Sequence, residues 1–257
     1  MNMKHPMLQL AVWGILTSLI SYKVLASNDD KSLEVAVGWN KPPYVNSADD
    51  SGFELDMIRQ IFARMGYKFK PVYVPYGRSL SMLQNSRVDG ALTLSENAAV
   101  PPVQLTDSYI QYQNVAVSLQ SKHLDIKQPK DLGRYAIAAY QTAAKNLGEQ
   151  YAYAVKQAPL YVELPDQTKQ VAMLLNGHVS VLIIDVNIFN NLQAVLEPGT
   201  NRQPITIHHI FAPSDYHVGF LNPNLAQDFN QALKAYQTSL AHQELVHKYN
   251  IFADEDV

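Results

Sequence analysis

The chain has 257 residues, 47% hydrophobic and 17% charged, with no cysteine and a formal net charge of −3. That length supports one large domain or two small lobes with their own cores, and the missing cysteines exclude a disulfide-stapled fold or thiolate metal site. The acid excess argues against nucleic acid or an anionic membrane as partner.

Lys4 and His5 precede an apolar run from Met7 to Ile20, and the stretch closes on Val24-Leu25-Ala26. A basic start, a short apolar centre and a small last residue predict a secretory signal over residues 1–26, too short to span a bilayer well. An uncleaved anchor is the alternative, because Tyr22 and Lys23 sit awkwardly beside a cleavage point. Losing Lys4 and Lys23 leaves the exported chain two charges more negative. An exported chain without disulfides suits a periplasm. No cysteine follows the signal to carry a lipid anchor, and no later stretch is apolar enough to cross a membrane.

Leu33 to Trp39 (LEVAVGW) reads as an apolar strand ended by Asn40-Lys41-Pro42-Pro43. Gly52 to Met65 places Leu55, Ile58, Ile61, Phe62 and Met65 on one helical face, and Gly66 stops it. Strand 68–76, helix 79–85 and strand 88–94 follow. Strand, helix, strand, helix, strand is the pattern of a parallel sheet covered by helices. The pattern then restarts: strand 135–140, helix 142–156, strand 160–164, helix 168–175, strand 179–184. Met82 to Leu94 (MLQNSRVDGALTL) and Met173 to Asp185 (MLLNGHVSVLIID) align without a gap and share Met, Leu, Asn and Val. Both read as a helix end, a small polar break and an apolar strand, so they predict equivalent corners of two α/β lobes. Asn114 to Gln120 reads as a crossing strand, Tyr216 to Leu221 as the crossing back, and two final helices span 225–239 and 242–249. The expected fold is therefore α/β and two-lobed with a two-stranded hinge: residues 31–117 with 217–257 form lobe one, and 118–216 form lobe two.

In open parallel sheets, ligands bind outside the carboxyl ends of the strands. In lobe one this rule selects Trp39 to Tyr44, Tyr76-Gly77-Arg78, Thr93, Ser95 and Glu96; in lobe two it selects Tyr140, Gln141, Thr142 and Asp185. Thr142 can cap the start of its helix, and free backbone N–H groups beside it would seat an anion. Arg78 could add a bidentate grip on a carboxylate. Asp185, ending the apolar run VLII, wants a cationic ligand group, while Tyr44, Tyr76 and Tyr140 could supply flat walls. Simpler roles stay open: a surface salt bridge for Arg78, a helix N-cap for Asp185, and packing for the tyrosines.

The order of short motifs resembles the family 3 periplasmic solute-binding proteins, the polar-amino-acid receptors of ABC importers. The matching residues are Pro42-Pro43-Tyr44, Gly52 to Asp56, Val88-Asp89-Gly90, Leu105 to Tyr109 and Pro129 to Leu132. The resemblance runs from Leu33 to about Tyr249 and implies a Venus-flytrap fold that closes on a small ligand. It implies that Gln141-Thr142 stand where the family seats a ligand carboxylate, and Asp185 where it holds a ligand ammonium. One departure is plain: between Ser95 and Val103, where the family usually carries a carboxylate-gripping arginine, there is no basic residue. Some divergent members have an arginine at the position of Arg78, which could partly replace it.

The expected function is capture of a small polar, amino-acid-like or carboxylated ligand by a periplasmic monomer for ABC import, with a membrane permease as partner. The alternatives are a sensory protein that signals through a partner, and a cyclohexadienyl-dehydratase-like enzyme using Glu96 or Glu163 as acid. No nucleophile, metal-ligand or phosphate-loop motif is present, so no enzyme activity, cofactor or metal is expected. His208 and His209 are adjacent, so on a strand they face opposite ways and cannot jointly chelate.

Overall fold

In a computed structural model of the chain, residues 31–96 and 100–249 are described, with Met1 and Ile251; the predicted signal lies outside them. The repeated strand–helix pattern becomes two five-stranded mixed sheets. The first is built from β1 (Ser32–Gly38), β2 (Lys68–Val74), β3 (Gly90–Leu94), β4 (Gln104–Tyr112) and β10 (Ser214–Phe220), in the order β2-β1-β3-β10-β4. The second uses β5 (Asn114–Leu119), β6 (Ala136–Tyr140), β7 (Leu160–Leu164), β8 (Val181–Asp185) and β9 (Ile205–His208), in the order β7-β6-β8-β5-β9. In each sheet the first three strands run parallel and the fourth is antiparallel to both neighbours. The fourth strand is the one contributed by a chain crossing, which is why it runs the other way.

The duplicated sequence corner has a shared backbone cause. Helix α2 (Ser79–Gln84) leads into β3, the central strand of its sheet, and α5 (Gln167–Leu175) leads into β8, the central strand of the other. Past the capping Asn85, Ser86 N–H donates to Leu83 O and Arg87 N–H to Met82 O; past Asn176, Gly177 N–H donates to Leu174 O and His178 N–H to Met173 O. These are two copies of one Schellman ending. It needs a left-handed residue after the cap, with φ 54° at Ser86 and 72° at Gly177. A Cβ strains that conformation and glycine does not.

Helix α1 (Phe53–Arg64) buries Leu55, Ile58, Ile61 and Phe62, as its periodicity predicts. Phe62 meets Phe69 at 5.7 Å, and Phe220 and Phe229 edge-on at 6.3 and 6.0 Å. Phe229 comes from α7 (Pro223–Gln237), so the final helices lie on lobe one. Helix α8 (Leu240–Tyr249) is tied there as well: Tyr249 Oη accepts from Gly52 N–H and donates to Asp56, and Lys248 pairs with Asp56 at 2.8 Å.

Two expectations change. The single helix expected over 142–156 is split into α3 (Ala143–Asn146) and α4 (Glu149–Gln157), because Gly148 between them takes φ 87°. Sheet membership also switches earlier than the lobe limits drawn from the sequence. Asn114 already pairs with Asp185 in the second sheet, and Ser214 already pairs with Tyr112 in the first. The crossings therefore fall at Gln113 and within 209–213, where Gln113 Nε2 donates to Phe211 O and Asn114 Nδ2 to Ser214 Oγ.

The Schellman comparison yields a stability test. Ser86→Gly removes the left-handed strain at the position where the other lobe has glycine. It should stabilise the chain by about 0.5–1 kcal/mol in urea denaturation, the gain from lost strain being partly offset by glycine's entropy.

Candidate functional site

The carboxyl ends of the strands in the two sheets face each other across a narrow cavity. Its free volume is about 40 Å³. Its aromatic wall is Trp39, Tyr76, Tyr112, Tyr140 and Tyr216. Its polar lining includes Lys41, Thr93, Asn114, Gln141, Gln167 and Asp185. Tyr76, Thr93, Tyr140, Gln141 and Asp185 are thus cavity residues that the strand-end rule selects from sequence.

Beneath the lobe-one wall lies a saturated polar cluster. Glu54, on the first turn of α1, is fully buried. Its carboxylate accepts from Lys41 Nζ at 2.6 Å, Thr93 Oγ1 at 2.7 Å, Tyr112 Oη at 2.9 Å and Tyr109 Oη. Lys41 Nζ also donates to Thr93 Oγ1 at 2.9 Å and Tyr112 Oη at 2.8 Å, so its three N–H groups are all engaged. Burial alone would raise the Glu54 carboxyl, but the Lys41 charge and these donors hold it below the ordinary carboxylate range. Thr93 joins the cluster to the cavity. Its N–H donates to Tyr109 Oη, its carbonyl accepts from Tyr76 Oη, and its backbone holds φ 59°. That conformation costs a β-branched residue about 1–3 kcal/mol and persists where surrounding bonds over-determine it.

On the lobe-two side, Asp185 is both the N-cap of α6 (Val186–Leu196) and a cavity residue. Its Oδ1 accepts from Asn187 and Ile188 N–H, and its Oδ2 from Gln113 N–H, all at 3.0 Å. Burial pushes the carboxyl up to about 7 although three N–H groups favour its charged form. The carboxylate is thus wired by Gln113 to the crossing segment itself.

The remaining sequence candidates fall elsewhere. Arg78 is exposed and lines a separate open depression with Ser81, Met82, Asn85 and Arg87, because η-type turn 76–78 aims Tyr76, not Arg78, toward the other lobe. The expected pairing of Arg78 with an anion seat is not formed. The seat itself is filled from within: Glu163, at the end of β7, accepts from Thr142 N–H at 2.7 Å and Ala144 N–H at 3.0 Å, and from Tyr161 Oη at 2.6 Å. Thr142 takes φ 67° and makes no side-chain cap; its hydroxyl accepts from Asn146 Nδ2. Ser95 and Glu96 line a wider second opening, the Glu96 side chain being 81% exposed. Tyr44 is buried behind the wall, stacked on Tyr112 at 4.3 Å.

Sequence reasoning passed over Glu54, Tyr112, Gln167 and Tyr216 as site residues, and reached Lys41 only within the segment from Trp39 to Tyr44. Glu54 carried a signal: it stands four residues before Ile58 on the apolar stripe of α1, and a charge on a buried stripe demands a partner. The lobes also touch directly. Gly77 N–H donates to Gln141 Oε1, Asn187 Nδ2 to Tyr44 Oη at 3.0 Å, and Ser95 Oγ to Asn146 Oδ1. Among the described residues, no group of three or more His, Cys, Asp or Glu could hold a metal ion. No helix of the described residues is long and apolar enough to cross a membrane.

Lys41→Met should cost about 3–5 kcal/mol of stability by leaving Glu54 buried without a cation; urea denaturation measures it, and Lys41→Met with Glu54→Gln should recover part of the loss. Asp185 sets a pH dependence of the opposite kind to a salt-bridged acid. Its folded pKa of about 7 exceeds the ordinary 3.8, so the native state binds the proton more tightly. Its contribution is greatest below the unfolded value and falls as pH rises toward 7. Asp185→Asn should flatten that decline in unfolding free energies measured across this window.

Comparison with known proteins agrees with the fold. Residues 33–252 match the model of bacterial extracellular solute-binding proteins, family 3. A search of curated proteins found no match. Among solved structures, a mutant of ArgBP from T. maritima is similar at TM-score 0.71 and 18% identity, covering 85% of this chain and 95% of that one. A histidine kinase sensor domain with similarity to periplasmic binding proteins is similar at TM-score 0.72 and 15% identity, covering 86% and 97%. An ABC uptake transporter substrate-binding protein from Streptococcus pneumoniae, with bound histidine, is similar at 0.68 and 16%, covering 86% and 93%. By its match over nearly all of its described residues, the chain belongs to the bacterial extracellular solute-binding proteins, family 3.

Proposed function

We propose that the chain is exported to the periplasm by its N-terminal signal and captures a small polar ligand in the cleft between its lobes. It then hands that ligand to a membrane ABC importer. The observation that carries the reading is Asp185, a buried carboxylate that lines the cavity and also bonds the crossing segment through Gln113 N–H. A ligand donor against Asp185 on one side and against the tyrosine wall on the other would touch both lobes. Only a ligand with different affinity for open and closed forms can move such a hinge. The direct bonds between Gly77 and Gln141, and between Tyr44 and Asn187, support a closed form that the chain can reach.

Binding is favoured over catalysis by the state of the two candidate acids. Glu163 is held by two backbone N–H groups and Tyr161, and Glu96 projects into solvent. Neither is a desolvated acid aimed into the cavity. Sensing through a membrane kinase is the second reading, supported by the likeness in fold to a sensor domain. Uptake of labelled ligand by cells lacking the chain separates the two: import requires it, and a sensor role does not.

The closure reading predicts that a thermal-shift screen of amino acids, small carboxylates, amines and short peptides will find a stabilising compound. That compound should lower the scattering-derived radius of gyration of the mature chain. Asp185→Asn should weaken its binding at least about tenfold, as for loss of a charged hydrogen bond. An unchanged radius at saturation would defeat closure, and undiminished affinity in the variant would remove Asp185 from the site.

A further inference from the structure

We infer that the cleft takes an organic cation that carries no carboxylate, because a buried acid, Asp185, faces an aromatic enclosure and no free base lines it among the described residues. The inference rests on the cleft being the ligand site and narrows the ligand's chemistry. A carboxylate ligand needs donors. Thr142 and Ala144 N–H, the backbone groups that could seat one, are already bonded to Glu163. Lys41, the basic side chain among the described cavity-lining residues, spends its three N–H groups on Glu54, Thr93 and Tyr112. Arg78 lines a different depression. Residues 97–99, beside the cleft in sequence, contain no basic residue.

The acceptors, by contrast, are in excess. With Lys41 and Glu54 neutralising each other, Asp185 is the acid left facing the cavity, and a bound cation would favour its charged form. Gln167 Oε1, an acceptor on a cavity-lining residue, is buried with no hydrogen-bond partner. A buried polar atom without a partner costs free energy that a ligand donor would relieve. Tyr112 and Tyr216 meet edge to face at 5.1 Å, and Tyr76, Tyr140 and the 40%-exposed Trp39 complete an aromatic enclosure. Aromatic faces around an acid attract an ammonium or guanidinium through the ring quadrupole.

Pairs of compounds that differ only in a carboxylate test this: agmatine with arginine, cadaverine with lysine, and histamine with histidine. Titration calorimetry on the mature chain should show an amine binding at least about tenfold more tightly than its amino acid, the penalty of an unpaired charged group. Tighter binding by the amino acid overturns the inference and leaves ligand capture in the cleft standing. If no compound of either series, nor any from the wider screen, binds at millimolar concentration, the inference and the capture reading fall together.

Discussion

The carboxylate of Glu54 organises the lobe-one half of this protein. A fully buried charge survives only when it is paired and its lone pairs are satisfied, and four donors from three different parts of the lobe converge on this one. Lys41 follows β1, Thr93 lies on β3, and Tyr109 and Tyr112 lie on β4. Each donor is a side chain of a strand or strand end that must be correctly registered for the bond to form. The cluster therefore fixes the height of the cavity wall, including the left-handed backbone at Thr93 that Tyr76 and Tyr109 hold from either side.

This saturation explains what lobe one can offer a ligand. A lysine with a free N–H at the cavity surface would bind anions. Lys41 does not, because all three of its donors point into the protein. What remains for the cavity is the tyrosine faces, with Tyr112 held by Lys41 on one side and by stacked Tyr44 behind it.

Lobe two is arranged around two carboxylates with opposite consequences. Glu163 turns inward and closes off the N–H groups at the start of α3, so a segment that could have held an anion becomes structural. Asp185 caps α6 and binds Gln113 N–H at the crossing, so the cavity wall and the crossing segment meet at one side chain. The helix-capping role read from sequence is formed, and the same residue lines the cavity. A strand-end acid followed at once by a helix turns its two oxygens toward backbone N–H groups at the cavity wall.

The sequence by itself determined the architecture and much of the cavity rim. Hydrophobic periodicity placed the strands and helices, and the corner repeated at Met82 and Met173 marked two equivalent sheets, because one Schellman ending imposes similar residues wherever it occurs. The strand-end rule then reached Tyr76, Thr93, Tyr140, Gln141 and Asp185, since it depends only on where strands stop. Tertiary structure alone decided which polar groups were free. That Lys41 is exhausted, that Glu163 reaches the backbone beside Thr142, and that Arg78 turns away are facts about side-chain pairing between residues distant in the chain. Local pattern carries no trace of such pairing, because a donor's availability depends on what the rest of the fold has brought within hydrogen-bond distance of it.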